Sequence, residues 1–177
     1  MVLRSYAKIN LTLKVNSKRK DKLHEIQSFF CLINLKDKIV LKKVKNKRDK
    51  IIFKGPFANF VNKSNNSVIN LFKILRRHKL ISGYYSVTVF KNIPVFAGLG
   101  GGTGNAASIL KYFLKKNISG ALLKEVETKI GTDFKLFFHK QGFLKNLGSI
   151  INFQKKQNLF FLLVQPRVKC STKEIYL

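Results

Sequence analysis

Between Pro94 and Asn105 the chain reads Pro-Val-Phe-Ala-Gly-Leu-Gly-Gly-Gly-Thr-Gly-Asn and holds five of its eleven glycines. A run of this kind suits anions. Without a Cβ the backbone can come close to a phosphate, and where a helix follows, the unpaired amides of its first turn point at the charge. A helix is predicted to follow here, because Ala106, Ala107, Ile109, Leu110, Phe113 and Leu114 share one helical face. A flexible surface loop is the plain alternative. Two known loop types do not fit. A Walker loop carries Lys after its last glycine, where Asn105 stands, and a G-x-G-x-x-G fingerprint begun at Gly98 meets Thr103 in its last position.

The elements around this loop follow from periodicity. Leu3, Ala7, Ile9, Leu11, Leu13 and Val15 alternate with polar residues, which predicts a half-buried strand from Leu3 to Val15 with Lys8 and Asn10 on its more polar face. After a basic turn, strands are expected around Glu25 to Asn34, Lys38 to Val44 and Ile51 to Phe53. The cap-like cluster Asn65-Asn66-Ser67 precedes a helix whose core face is Val68, Ile69, Leu71, Phe72, Ile74 and Leu75. Gly83 ends it, and Tyr85 to Lys91 returns to strand character. A further helix covers Gly120 to Ile130 and is interrupted by Gly131-Thr132-Asp133. The tail from Gly142 reads as strands, with Leu159 to Val164 the most buried. No repeat or linker divides the chain.

Composition narrows the class. At 177 residues a single domain burying roughly 70% of its unfolded surface is the default, and 45% hydrophobic residues with 16 Phe supply a core. Cys31, Cys170, His24, His78 and His139 are scattered, which excludes a disulfide framework and zinc spacing. The N-terminus lacks the apolar run of a signal peptide, and Leu159 to Val164 is too short to span a bilayer. A cytoplasmic protein without a membrane segment is expected. The net charge of +27 points to nucleic acid, acidic lipid or an acidic substrate. The lysines are dispersed, however, and Lys, Asn, Ile and Phe are abundant together, as an A/T-rich coding sequence would produce. A dedicated nucleic-acid role is not the expectation from charge alone.

The stretch from Pro94 to Ala107 resembles the phosphate loop of the galactokinase, homoserine kinase, mevalonate kinase and phosphomevalonate kinase superfamily. Ser5-Tyr-Ala-Lys-Ile-Asn-Leu11 narrows the resemblance to the branch that phosphorylates a cytidine-diphosphate-linked methylerythritol in the non-mevalonate isoprenoid route. Asp21-Lys-Leu-His-Glu25, Asn65-Asn66, Gly131-Thr-Asp133 and Pro166 through Ser171-Thr172 to Tyr176 agree in order. The resemblance implies an α+β kinase domain over residues 1–177, a mixed sheet packed against helices with the glycine loop at a helix N-terminus. It implies ATP held by Pro94, Gly98, Leu99, Gly100, Gly101, Gly102, Thr103, Gly104 and Asn105, with Asn66 near the adenine and Thr103 close to the phosphates or to Mg²⁺. Asp133 would accept the proton of the substrate hydroxyl, with Lys8 beside it. Asn10, His24 and Tyr176 would line the cytidine end, His24 by hydrogen bonding and Tyr176 by stacking. Phosphoryl transfer is mainly positioning and charge neutralisation, so a glycine cradle, a metal and one Asp–Lys pair are adequate to it.

The chain also departs from the family's pattern. Lys22-Leu23 stand where the family has Gly-Tyr, Thr103-Gly104 replace a serine pair, and Phe134-Lys135 follow the aspartate in place of a small apolar residue and proline. The family's C-terminal domain has no counterpart in these 177 residues, so a separate C-terminal domain is an expected partner and low activity without it is the expectation. Two other readings share the fold: a basic RNA-binding module, and an inactive kinase-derived chain.

Overall fold

The computed structural model describes residues 1–18, 24–45, 47–114, 118–155 and 157–165. Along the chain lie β1 (Val2–Asn10), β2 (Lys14–Lys18), β3 (His24–Val44), β4 (Lys50–Lys54), a 3-10 turn (Ala58–Phe60), α1 (Ser67–Arg77), β5 (Tyr84–Phe90), α2 (Gly101–Phe113), α3 (Gly120–Ile130), a 3-10 segment (Thr132–Phe138), β6 (Gln141–Asn146) and β7 (Ser149–Asn152). The strands make one mixed sheet around β3. This strand of 21 residues reaches roughly 70 Å at about 3.3 Å per residue. One edge of β3 takes β1 (Val2↔Val40 to Asn10↔Phe30) and then β2 (Lys14↔Gln27). The other takes β5 (Lys38↔Phe90 to Val44↔Tyr84) and then β6 (Ser28↔Leu144), while β4 joins β5 in parallel.

Two strands expected around Glu25 to Asn34 and Lys38 to Val44 are thus one. The ladder with β1 jumps from Tyr6↔Lys36 to Ala7↔Ile33, so Asn34 and Leu35 bulge out of β3 without ending it. The strand expected from Leu3 to Val15 instead stops at Asn10. Three residues, Leu11 to Leu13, span two on β3 and are held there by Leu11 N–H to the Phe29 carbonyl (2.7 Å) and Ser28 Oγ to the Thr12 carbonyl (2.6 Å). That extra residue takes Leu11, Leu13 and Val15 out of the inward phase, and all three are exposed. Residues 159–164, expected to be the most buried strand, join no ladder. Phe160 is 97% exposed, and the alternation survives only as half-exposed Leu159, Phe161 and Leu163.

The helices cover one face of the sheet. Ile39 and Leu41 of β3 and Val87 and Val89 of β5 pack against Leu71 and Leu75 of α1, Ile109 and Leu110 of α2, and Val126 of α3. Asn66 caps α1 by accepting from Val68 N–H (3.2 Å) and Ile69 N–H (3.0 Å), as the cap cluster predicts. A smaller core of Phe30, Leu136 and Leu144 ties the 3-10 segment to the far part of β3. Among the described residues no helix is long and apolar enough to cross a membrane.

α3 is tied to α1 by Glu125, which pairs with Arg77 and meets His78 Nε2 at 2.7 Å. The His78 hydrogen bond, ahead of the charges around it, holds the Glu125 carboxyl below its ordinary range. A carboxyl depressed in the folded chain stabilises it fully above the ordinary carboxylate range and loses that contribution as pH falls through the folded value. Glu125→Gln should therefore lower the melting temperature at pH 7 and lose this effect in acid below the carboxylate range. Melting curves showing the same loss at both pH values would contradict the coupling.

Candidate functional site

Lys8 meets the glycine loop through its backbone first. Its N–H donates to the Leu99 carbonyl at 3.0 Å, which docks the loop against β1. Its side chain is 3% exposed, and Nζ lies 2.8 Å from Asp133 Oδ2 and 2.8 Å from Asn10 Oδ1. Lys8 is therefore covered, although Arg4 and Asn10, its neighbours on the face that alternation marks as polar, are exposed. Asp133, in the first turn of the 3-10 segment, is 35% exposed, so solutes can reach it while it holds the lysine.

The loop is shaped by two close approaches. Gly100 has the left-handed φ of +65° that begins α2, and no side chain caps that helix, so its first amides are open to a ligand. A Cβ at Gly100 would stand 2.6 Å from Phe137 Cζ, and one at Gly104 would stand 2.8 Å from Phe137 Cε1. The Phe137 ring thus lies against the first turn of α2, in space that only glycines leave, and brings the 3-10 segment with it. On the same side, a Cβ at Gly131 would come within 3.2 Å of Thr103 Oγ1, so the loop hydroxyl faces the turn that carries Asp133. On the other side, a Cβ at Gly102 would lie 3.0 Å from Ser67 Oγ, so the starts of α1 and α2 meet.

Between these helix starts lies a cavity of about 410 Å³, within the usual range for small-molecule sites. Gly98 to Thr103 form its floor; Asn66, Ser67 and Lys91 are among its walls, and the exposed Phe60 and Phe96 stand at its rim. Asn105 lines it too and is almost fully buried, yet its Oδ1 has no hydrogen-bond partner among the described residues. A buried acceptor left unpaired is costly in a closed protein and is explained by a site that a ligand completes.

The entry to the loop is held by Asp37, which is fully buried on β3. Its carboxylate pairs with the Lys91 ammonium and accepts from Asn92 N–H (2.7 Å) and Ile93 N–H (2.8 Å), just before Pro94. Lys91 Nζ would lie 3.1 Å from a Cβ at Gly101. Sequence pattern alone does not single out Asp37, Lys91, Phe137, Phe60 or Phe96. The available signal was Asp37 itself, one of 8 acids against 35 bases, placed between the runs expected to end at Asn34 and to begin again at Lys38.

Of the predicted residues, Lys8, Asn10 and Asp133 come together, and Pro94, Gly98 to Thr103, Asn105 and Asn66 line the cavity, where Asn66 also serves as helix cap. Gly104 sits behind them, against Phe137. His24 begins β3, six residues from the Phe30 that pairs with Asn10, up to about 20 Å along the strand. Tyr176 lies outside the described residues, as do Lys22, Leu23 and Cys170. Cys31 is buried, and burial pushes its thiol up, away from reactivity.

No family model matches the chain. Solved structures place the architecture: a homoserine kinase from Cytophaga hutchinsonii superposes on 98% of this chain and 57% of its own with a TM-score of 0.61 at 14% identity. A 4-(cytidine 5'-diphospho)-2C-methyl-D-erythritol kinase does so over 78% of this chain and 48% of its own, with a TM-score of 0.57 at 28% identity. The fold is that of the galactokinase, homoserine kinase and mevalonate kinase superfamily. Among curated proteins the chain is similar to 4-diphosphocytidyl-2-C-methyl-D-erythritol kinases. It is 38% identical to the one from Pelagibacter ubique over 98% of this chain, and 33% identical to the one from Caldanaerobacter subterraneus over the same share. The chain spans 63% and 61% of the length of these two relatives.

The Asp37–Lys91 pair sets a test of the loop's support. Asp37→Ala leaves a buried ammonium and two amides unpaired and should cost about 3–5 kcal/mol in urea unfolding. Adding Lys91→Met should recover much of that loss. Additive losses in the double variant would contradict a mutually dependent pair.

Proposed function

We propose that this chain carries the nucleotide site and the catalytic pair of an ATP-dependent kinase that phosphorylates the 2-hydroxyl of 4-diphosphocytidyl-2-C-methyl-D-erythritol, in isoprenoid precursor synthesis. The observation that carries the reading is the 2.8 Å pair of buried Lys8 and part-exposed Asp133, set where Lys8 N–H fastens the glycine loop. The uncapped start of α2 binds the phosphates of ATP through backbone amides and the positive end of the helix dipole. Phe60 and Phe96 give flat apolar surface to the adenine, and Asn66 stands on the same wall. Asp133 accepts the hydroxyl proton as the oxygen attacks the γ-phosphorus, and the bond from that phosphorus to the bridging oxygen of ADP breaks. Lys8 offsets the negative charge that gathers on the transferring group, at a point screened from water.

Mg²⁺ belongs to this chemistry as a neutraliser of phosphate charge. Among the described residues no three His, Cys, Asp or Glu side chains gather to hold a metal. The donors present, Thr103 and Asp133, suit a hard cation bound mostly through the nucleotide's own oxygens. Asn10 and, further along β3, His24 and the chain beyond it serve the cytidine end of an extended substrate.

Calorimetry should detect binding of Mg·ATP to the purified chain. Gly102→Val, which drives a side chain into Ser67, should abolish it, whereas Asp133→Asn should leave the affinity within a few-fold. Transfer of labelled γ-phosphate to the cytidyl substrate should fall by about 10²–10⁴ in Asp133→Asn, the range of a lost general base. Undiminished turnover in that variant would reject Asp133 as the base.

A further inference from the structure

One face of the sheet carries the helices; the other carries a one-signed field of charge. Residues paired across a ladder share a face. Starting from Lys38, whose partners are Arg4 on β1 and Phe90 on β5, the registers place Arg4, Lys36, Lys38, Lys42, Lys50 and Lys54 on the uncovered side of β1, β3, β5 and β4. Ile39 and Leu41, the alternate residues of β3, face the helices. All six cations except the half-buried Lys36 are exposed.

Among the described residues no acid answers them. Of the six carboxylates among the described residues, Asp37 is buried with Lys91, Asp49 holds Arg76, Glu125 holds Arg77 and His78, Glu127 faces Lys135, Asp133 holds Lys8, and Glu25 accepts from Leu147 N–H. Every one is engaged away from these positions. Six of the 35 basic residues are therefore set side by side by the fold, as a local field of one sign on this face.

Aromatic rings are interleaved with the cations. Lys36 Nζ stands 5.6 Å from the Tyr6 ring, Lys38 Nζ stands 4.9 Å from the Phe90 ring, and the Arg76 guanidinium stands 4.8 Å from the Tyr84 ring at the margin. Alternate residues on one strand are about 6.8 Å apart, so Lys36, Lys38 and Lys42 form a row of positive charge along β3. A four-stranded surface with rings between cations suits a single strand, whose phosphates take the lysines and whose bases lie on the rings. An anionic bilayer fits less well, because among the described residues of these four strands the exposed large apolar side chains on this face are Val2 and Tyr84, both at strand ends, and membrane insertion needs an apolar face to bury.

We propose that the uncovered face of β1, β3, β5 and β4 binds single-stranded nucleic acid, through backbone phosphates and without sequence readout. This function is separate from the kinase reading and does not depend on it.

The test is fluorescence anisotropy of a labelled twelve-nucleotide oligouridylate with the full chain, across a salt series. Two variants of equal charge change are compared: Lys38→Glu/Lys42→Glu/Lys54→Glu on this face, and Lys73→Glu/Lys124→Glu/Lys129→Glu on exposed helix positions. The first should weaken binding by about tenfold or more and reduce the slope of log K against log salt by roughly 0.7 for each phosphate no longer neutralised. The second should weaken it by less than about threefold under the same salt, since charges more than a Debye length from the strand are screened. A triple Gln variant on the face, with the melting temperature unchanged, guards against loss by unfolding and should show a smaller but clear weakening. Equal losses in the two Glu variants would reduce the effect to bulk charge and overturn the proposal. So would the absence of oligouridylate binding at low salt, or tighter binding to phosphatidylserine vesicles than to the oligonucleotide.

Discussion

A buried ammonium has to be paired. Lys8 is withdrawn from water on a strand, and an unpaired charge there would cost several kcal/mol or give up its proton. Asp133 and Asn10 meet it at 2.8 Å each, and the Lys8 amide takes the Leu99 carbonyl. Three distant parts of the sequence, an N-terminal strand, the glycine loop and the turn after α3, are thereby held at one point. The arrangement is stable because each part needs the others. The carboxylate that satisfies the lysine nevertheless remains part-exposed beside a helix start with open amides.

The long β3 strand makes this meeting possible. It holds β1 along one edge and β5 along the other, and β5 leads directly into the glycine loop. Asp37 is its contribution to the site. From the middle of β3 it grips the two amides and the lysine at the start of the loop, so the path from Phe90 to Pro94 is set before any ligand arrives. Phe137 does the same from below, filling the space that Gly100 and Gly104 leave open. The glycines thus admit an aromatic ring on one side and leave the amides of the first turn of α2 open on the other.

Local chemistry made much of this legible. The Asn66 cap, the glycine run at the start of α2 and the break at Gly131 each show in a few adjacent residues, because capping and turn formation are local. Lys8 and Asp133 could be named only through resemblance, since nothing in their own neighbourhoods says that they meet. What escaped depends on long-range register. The β3 bulge at Asn34 and Leu35 joins what read as two strands, and the three-against-two span at Leu11 to Leu13 ends what read as one. The second is an offset of one residue, which exchanges the faces of a strand; the first, of two residues, keeps them. Residues 159–164 kept their alternation, but burial needs a second layer, and none of the described residues supplies it. The cations of the uncovered face were visible as lysines and invisible as a surface, because only the ladder shows which of them stand side by side.

The proposed function asks for a phosphoryl group held at the start of α2 to pass toward a hydroxyl at Asp133. The central claim is spatial, so the most direct measurement is a crystal structure of the chain with Mg²⁺ and a non-hydrolysable ATP analogue. The account predicts the β- and γ-phosphates on the amides of Gly98 to Asn105, with the γ-phosphate turned to Lys8 and Asp133 and the adenine between Phe60 and Phe96. A triphosphate bound elsewhere, or bound at the loop with its γ-phosphate directed away from Lys8, would contradict it.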